Sequence, residues 1–181
     1  MKKLFAFVAC FFAFCLVADE DIDLKINGDF KGSKLNAAQP VYWVKNYANN
    51  PKIGASRIIA TNEPDEFALE VKTTAVATPF YSLPHRAKGG DRVKISIDAK
   101  GSGQIMFKCY VYDANQKYVG ILYGKPIKLT SSLFFSEYKE VITLHEFPGK
   151  NPIGNVRIVF AALKDTNVVF KDVEAELFPK R

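Results

Sequence analysis

Asp91-Arg-Val-Lys-Ile-Ser-Ile-Asp-Ala-Lys100, then Gly101-Ser102-Gly103, then Gln104-Ile-Met-Phe-Lys-Cys-Tyr-Val-Tyr-Asp113: these residues decide the fold class. Val93, Ile95 and Ile97, then Ile105, Phe107, Cys109 and Val111, fall on every second position. A period of two means extended strands with one face turned to a core. The other face carries Arg92, Lys94, Ser96 and Asp98, then Met106, Lys108, Tyr110 and Tyr112. Two such runs joined by Gly-Ser-Gly read as a β-hairpin.

The same pattern recurs outward from this stretch. Upstream, Ile22–Ile26, Val41–Val44, Ser56–Thr61, Phe67–Val71 and Thr78–Leu83 read as strands. Downstream the candidates are Tyr118–Tyr123, Pro126–Leu129, Glu137–Leu144, Val156–Ala162 and Val168–Phe178. Turn signals such as Asn27-Gly28, Asn62-Glu-Pro-Asp65 and Asp113-Ala-Asn-Gln-Lys117 separate them. Strands at roughly 8–12-residue spacing, with no helical period, predict an all-β sandwich of two antiparallel sheets.

The first residues have another purpose. Lys2-Lys3 precede an apolar run, Leu4 to Val17, followed by the small Ala18 and then Asp19-Glu20-Asp21. This is the layout of a secretory signal peptide over residues 1–18, leaving 19–181 as one β-sandwich domain. The run is shorter than the roughly 20 apolar residues of a membrane span, so no membrane attachment is expected after cleavage. A lipid anchor at Cys10 or Cys15 is disfavoured by the large Phe14 before Cys15 and the short run before Cys10. Only Cys109 then remains, at an inward strand position, as a small buried hydrophobe without a disulfide partner. The expected location is secreted or periplasmic.

The chain has 25 Lys and Arg against 19 Asp and Glu, a net charge of +6, and Lys2 and Lys3 leave with the signal. The remaining excess is mild and scattered. It permits an acidic polymer as ligand, and with no Lys/Arg run or nucleic-acid motif it argues against nucleic acid.

The order Asn27-Gly28-Asp29-Phe30, Trp43, Phe67-Ala-Leu-Glu-Val71, Gly90–Lys100, Val111-Tyr-Asp113, Leu129-Thr130, Val156-Arg-Ile-Val-Phe160 and Val169–Leu177 resembles the carbohydrate-binding modules of the galactose-binding-like jelly-roll superfamily, families 4, 9, 16 and 22. The likeness covers nearly all of residues 19–181. Two positions depart from it: Lys171-Asp172-Val173 stands where the family often has Asp-Asp-Val, and Phe134-Phe135 where it often has Trp. The resemblance implies a jelly roll with its ligand on a concave sheet, and a structural Ca²⁺ held by oxygens of the first loop and last strand. Here those are Asn27, Asp29 and Asp172.

Glycan recognition needs flat rings for the apolar face of a pyranose and polar groups for its hydroxyls. The outward row of the central stretch offers Tyr110 and Tyr112 beside Lys108. Tyr81 lies in a neighbouring segment, as do Tyr118 and Tyr123, and Arg157 is outward on a late strand. Tyr110, Lys108, Tyr112, Tyr81 and Arg157 are the candidate ligand-binding residues. Trp43, the one tryptophan, is a further candidate platform.

Catalytic signatures are missing. His85 and His145 are the only histidines, and neither Gly-x-Ser-x-Gly nor His-Glu-x-x-His occurs. Glu137, Glu140 and Glu146 could supply the carboxylates of a glycosidase only if tertiary structure paired them. The expectation is therefore an exported, non-catalytic module that binds a poly- or oligosaccharide. The alternative is a cell-envelope structural module with a protein partner. A polysaccharide lyase using Tyr with Arg or His comes third.

Overall fold

The computed structural model describes residues 21–45, 49–50, 52–130 and 133–180. The signal segment 1–18 lies outside the described residues, as do parts of the loops expected around Asn46–Gly54 and Thr130–Ser132. Among the described residues every regular element is a strand: β1 (Ile22–Asp23), β2 (Val44–Lys45), β3 (Gly54–Ala60), β4 (Phe67–Thr73), β5 (Thr78–Tyr81), β6 (His85–Arg86), β7 (Arg92–Ser102), β8 (Gln104–Tyr112), β9 (Tyr118–Tyr123), β10 (Ile127–Lys128), β11 (Ser136–Thr143), β12 (Asn155–Ala162) and β13 (Asn167–Phe178).

They form two antiparallel sheets that pack as a jelly-roll β-sandwich. Sheet 1 has the order β11-β7-β13-β4-β3, with β1 also on β13. Sheet 2 has the order β10-β8-β12-β5-β2, with β9 also on β8 and β6 also on β12. The inward rows meet between them. Val93, Ile95 and Ile97 of β7 and Ile105, Phe107, Cys109 and Val111 of β8 are all buried. Phe160 of β12 lies at the centre, stacked on Phe80 at 5.2 Å and edge-on to Trp43 and Phe170 at 4.9 and 5.0 Å. Cys109 is free and buried, and burial pushes its thiol pKa up, with Glu140 adding to the effect.

The expected central hairpin is not one. β7 and β8 belong to opposite sheets. Ser102 still pairs with Asn167 of β13, and Gln104 already pairs with Lys128 of β10, so Gly103 alone makes the crossing. A hairpin needs at least a two-residue loop. Gly103 has φ +103° and lies so close to Thr166 that a Cβ would meet its Oγ1 at 2.4 Å. Thr166 fastens the corner, accepting from Gln104 N and donating to Gln104 O, both at 3.0 Å. Alternation is satisfied equally by pairing side by side and by facing across a core, and here the two strands face.

Other boundaries shift for local reasons. Val41–Trp43 is a turn, with Tyr42 at φ +65° and Trp43 N bonded to Pro40 O at 3.2 Å, so only Val44–Lys45 is strand. The stretch expected at Thr78–Leu83 ends at Tyr81. Ser82 keeps contact with β12 through Ile158 on both sides, and β6 resumes the edge beyond Pro84.

Candidate functional site

Along β8, Phe107, Cys109 and Val111 are buried while Met106, Lys108, Tyr110 and Tyr112 turn outward and are half-buried. Antiparallel pairing carries this parity across the sheet. Tyr112 is level with Asn155, Tyr110 with Arg157 and Lys108 with Val159 on β12. Val159 is in turn level with Tyr81 on β5. On the other side, β9 sets Tyr123 beside Lys108 and Tyr118 beside Tyr112. The structure thus places Tyr110, Lys108, Tyr112, Tyr81 and Arg157 together on the outer face of sheet 2.

The rings touch in sequence. Tyr81 and Tyr110 meet edge-to-face at 5.0 Å, with hydroxyls 3.5 Å apart. Tyr118 lies 6.3 Å from Tyr110 and 6.0 Å from Tyr112. Tyr118 and Tyr123 are the open end of the row, 52% and 63% exposed, whereas Tyr81 is 7% exposed. These two more accessible tyrosines were not among the candidates. Their sequence signal is the same parity, carried through a strand register that only pairing reveals. Burial, then the neighbouring phenols, push the Tyr118 pKa up, so its hydroxyl stays protonated and able both to donate and to accept.

Two cations lean on this row. The Lys108 ammonium is 5.3 Å from the Tyr123 ring centre, and the Arg157 guanidinium carbon 5.7 Å from that of Tyr112. Both distances are within cation–π range. Burial holds Lys108 below the usual lysine range. The buried Nε of Arg157 has no hydrogen-bond partner among the described residues.

The outer face of sheet 1 is of another kind. Four of the seven Lys and Arg on its strands are matched: Arg57 with Glu70, Lys94 with Glu176, Lys171 with Glu66 and Lys139 with Glu137, all at 3.0 Å or less, while Arg92 and Lys100 lie over the rings of Phe178 and Phe135. Such pairs describe a solvated, charge-laced face.

Trp43 does not join the site. It is buried, donates its Nε1–H to Asn27 O at 3.1 Å and packs between Phe30 and Phe160. The turn at 41–42 drives the indole into the sandwich, so it cannot serve as a ligand platform.

The candidate calcium ligands share a different place. Asn27, Asp29 and Asp172 line an open cleft of about 660 Å³ between the first loop and β13. Here β13 bulges between Lys171 and Glu174, with Asp172 at φ +48°. Val173 N, displaced from the ladder, bonds Gly28 O at 3.0 Å. However, Asp29 is paired with Lys31 at 2.8 Å and Asp172 with Lys171 at 3.1 Å. The Asn27 amide nitrogen is bound to the carbonyls of Lys31 and Val41. This set does not fit a resident divalent cation, which would have to displace both ammonium groups.

Two antiparallel sheets, one with an aromatic outer face, define a β-sandwich with a fold that carbohydrate-binding modules share. Among solved structures, a cyclase from Fischerella sp. TAU matches at TM-score 0.64 and 10% identity, covering 90% of this chain and 100% of the other. A xylanase 10B fragment of Clostridium thermocellum, comprising a family 22 carbohydrate-binding module and its family 10 hydrolase module with xylohexaose, matches at TM-score 0.55 and 11% identity, over 87% and 28% of the two chains. The enzymatically active domain of tailspike protein 4 from bacteriophage CBA120 matches at 0.55 and 13%, over 84% and 21%. The chain thus spans about a fifth of that tailspike domain and over a quarter of the xylanase fragment. These identities speak to fold alone. No protein-family model and no curated protein sequence matches the chain.

Proposed function

We propose that this protein binds a poly- or oligosaccharide on the outer face of sheet 2, as a binding module and not as a catalyst. One observation carries the reading: Tyr81, Tyr110, Tyr112, Tyr118 and Tyr123 converge on one sheet face together with Lys108 and Arg157. Tyrosine combines a rigid apolar ring with a polar tip, and ordering it costs little side-chain entropy. The ring sides suit the C–H face of a sugar, and the hydroxyls and cations suit its oxygens. A long chain can lie along an open row of this sort without an enclosed pocket. A xylanase fragment that includes a family 22 carbohydrate-binding module shares this fold over 28% of its length, which is in keeping with the reading.

The test is a glycan array followed by titration of the best binder. Tyr110→Ala and Tyr118→Ala should each weaken binding by about tenfold or more, as truncation of a central aromatic contact does, with little change in melting temperature for Tyr118→Ala. Binding untouched by both variants, or no glycan bound at all, would sink the proposal. Steady product formation from a bound polymer would replace binding by catalysis.

A further inference from the structure

The charge on sheet 2 goes beyond the tyrosine row. Its seven strands contain no Asp or Glu, yet they carry Lys45, Arg86, Lys108, Lys128 and Arg157. Strand register puts four of these outward. Arg157 and Lys108 are central, Arg86 is level with Asn155 and Tyr112, and Lys128 is level with Gln104. Among the described residues none of the four has a carboxylate partner, while four of the seven Lys and Arg on the strands of sheet 1 do. The Arg157 Nε–H is buried without an acceptor among the described residues, so a ligand would have to meet the rest of the half-buried guanidinium.

The geometry points to an anionic glycan as the ligand: a chain whose sugar carboxylates or sulfate esters are met by Arg157 and Lys108 while its rings lie along the tyrosines. This rests on the reading of sheet 2 as a glycan-binding face and adds the charge of its ligand. Arg157 offers a planar fork suited to a carboxylate or sulfate, and Lys108 a point charge. Arg86 and Lys128 extend the positive strip toward the two ends of β8, as a polymer with repeated charge would require.

The experiment compares oligogalacturonate with its fully methyl-esterified form, and a sulfated galactan with its desulfated form, using polyglutamate as a polyanion that is not a sugar. The expected result is that at least one acidic glycan binds about tenfold or more tighter than its neutral counterpart and than polyglutamate. Which pair discriminates tells carboxylate from sulfate. Arg157→Gln and Lys108→Gln should each lower the ratio of acidic-glycan to neutral-glycan affinity by about tenfold, whatever they do to neutral binding itself, and an unchanged ratio in both would overturn the inference. Lys72→Gln, on sheet 1, should change neither. Should Arg157→Gln fail to fold, Lys108→Gln and the exposed Arg86→Gln carry the test. Neutral forms bound as tightly as acidic ones would overturn this inference and leave the glycan-binding reading intact. Polyglutamate bound as tightly as the glycans would overturn it as unspecific charge attraction. No glycan bound in any form would overturn both.

Discussion

Asp113 shows how a single side chain closes the end of the site. Its carboxylate accepts from Asn151 Nδ2 at 2.7 Å and from the amides of Asn115 and Lys117 at 2.9 Å, and its backbone carbonyl accepts from Asn155 Nδ2. The Asn151 amide, then the Lys117 and Asn115 N–H groups, hold its pKa below the usual carboxylate range against the opposing effect of burial. The turn that separates β8 from β9 is therefore fastened by the charged form. A folded-state pKa below the unfolded value means the contribution is complete above about pH 4 and is lost as pH falls through the folded value. Asp113→Asn should flatten the acid limb of the stability curve, measured by urea titration from pH 7 to pH 2. An unchanged acid limb would mean that other carboxylates govern it. Tyr118, which follows this turn, owes its place over Tyr112 to the same closure.

At the scale of elements, β13 pairs with β7 along one edge and shows how the other edge accommodates two partners. β4 pairs with its first half and β1 with its second, and the bulge at Lys171–Glu174 falls at the change of partner. Gly28 fills the gap. A Cβ there would stand 1.6 Å from Val173 O, so no other residue fits without moving backbone. Gly28→Ala should cost about 3 kcal/mol of stability by thermal or denaturant unfolding, at the upper end for overpacking, because a strand and not a side chain must yield. A loss below about 1 kcal/mol would show that the first loop moves freely off the bulge. The same packing explains why the family-like Asn27-Gly28-Asp29 and Asp172 come together in this chain while the lysines beside them take up the two carboxylates.

The molecule as a whole divides its tasks between sheets. Sheet 1 presents carboxylates and four matched ion pairs to water, and sheet 2 presents rings and cations with no carboxylate on its strands. Surface pairs at such separations contribute little to stability and are screened further by salt. Stability should therefore change little between low and high salt, since the buried rows between the sheets carry it. Binding of an acidic glycan should weaken steadily as salt rises from about 0.01 to 1 M, over which the screening length shrinks from about 30 Å to 3 Å. Isothermal titration beside thermal unfolding in one salt series reads both. Parallel changes in the two would show that the charges of sheet 2 serve folding and not a ligand.

Alternation is a local property, and it was enough to read strands, inward and outward rows, the buried Cys109 and the outward Lys108, Tyr110, Tyr112 and Arg157 from the chain alone. Period two states which way a side chain points from its own strand, because backbone geometry enforces it at every residue. It does not state which strand lies beside which. The partners of β7 and β8, the crossing at Gly103, the burial of Trp43 beneath a left-handed turn and the meeting of β9 with β8 all depend on contacts between residues far apart in sequence. The acid-free composition of sheet 2 was present in the sequence throughout. It became a property of one surface only when long-range pairing selected seven strands out of thirteen and set them side by side.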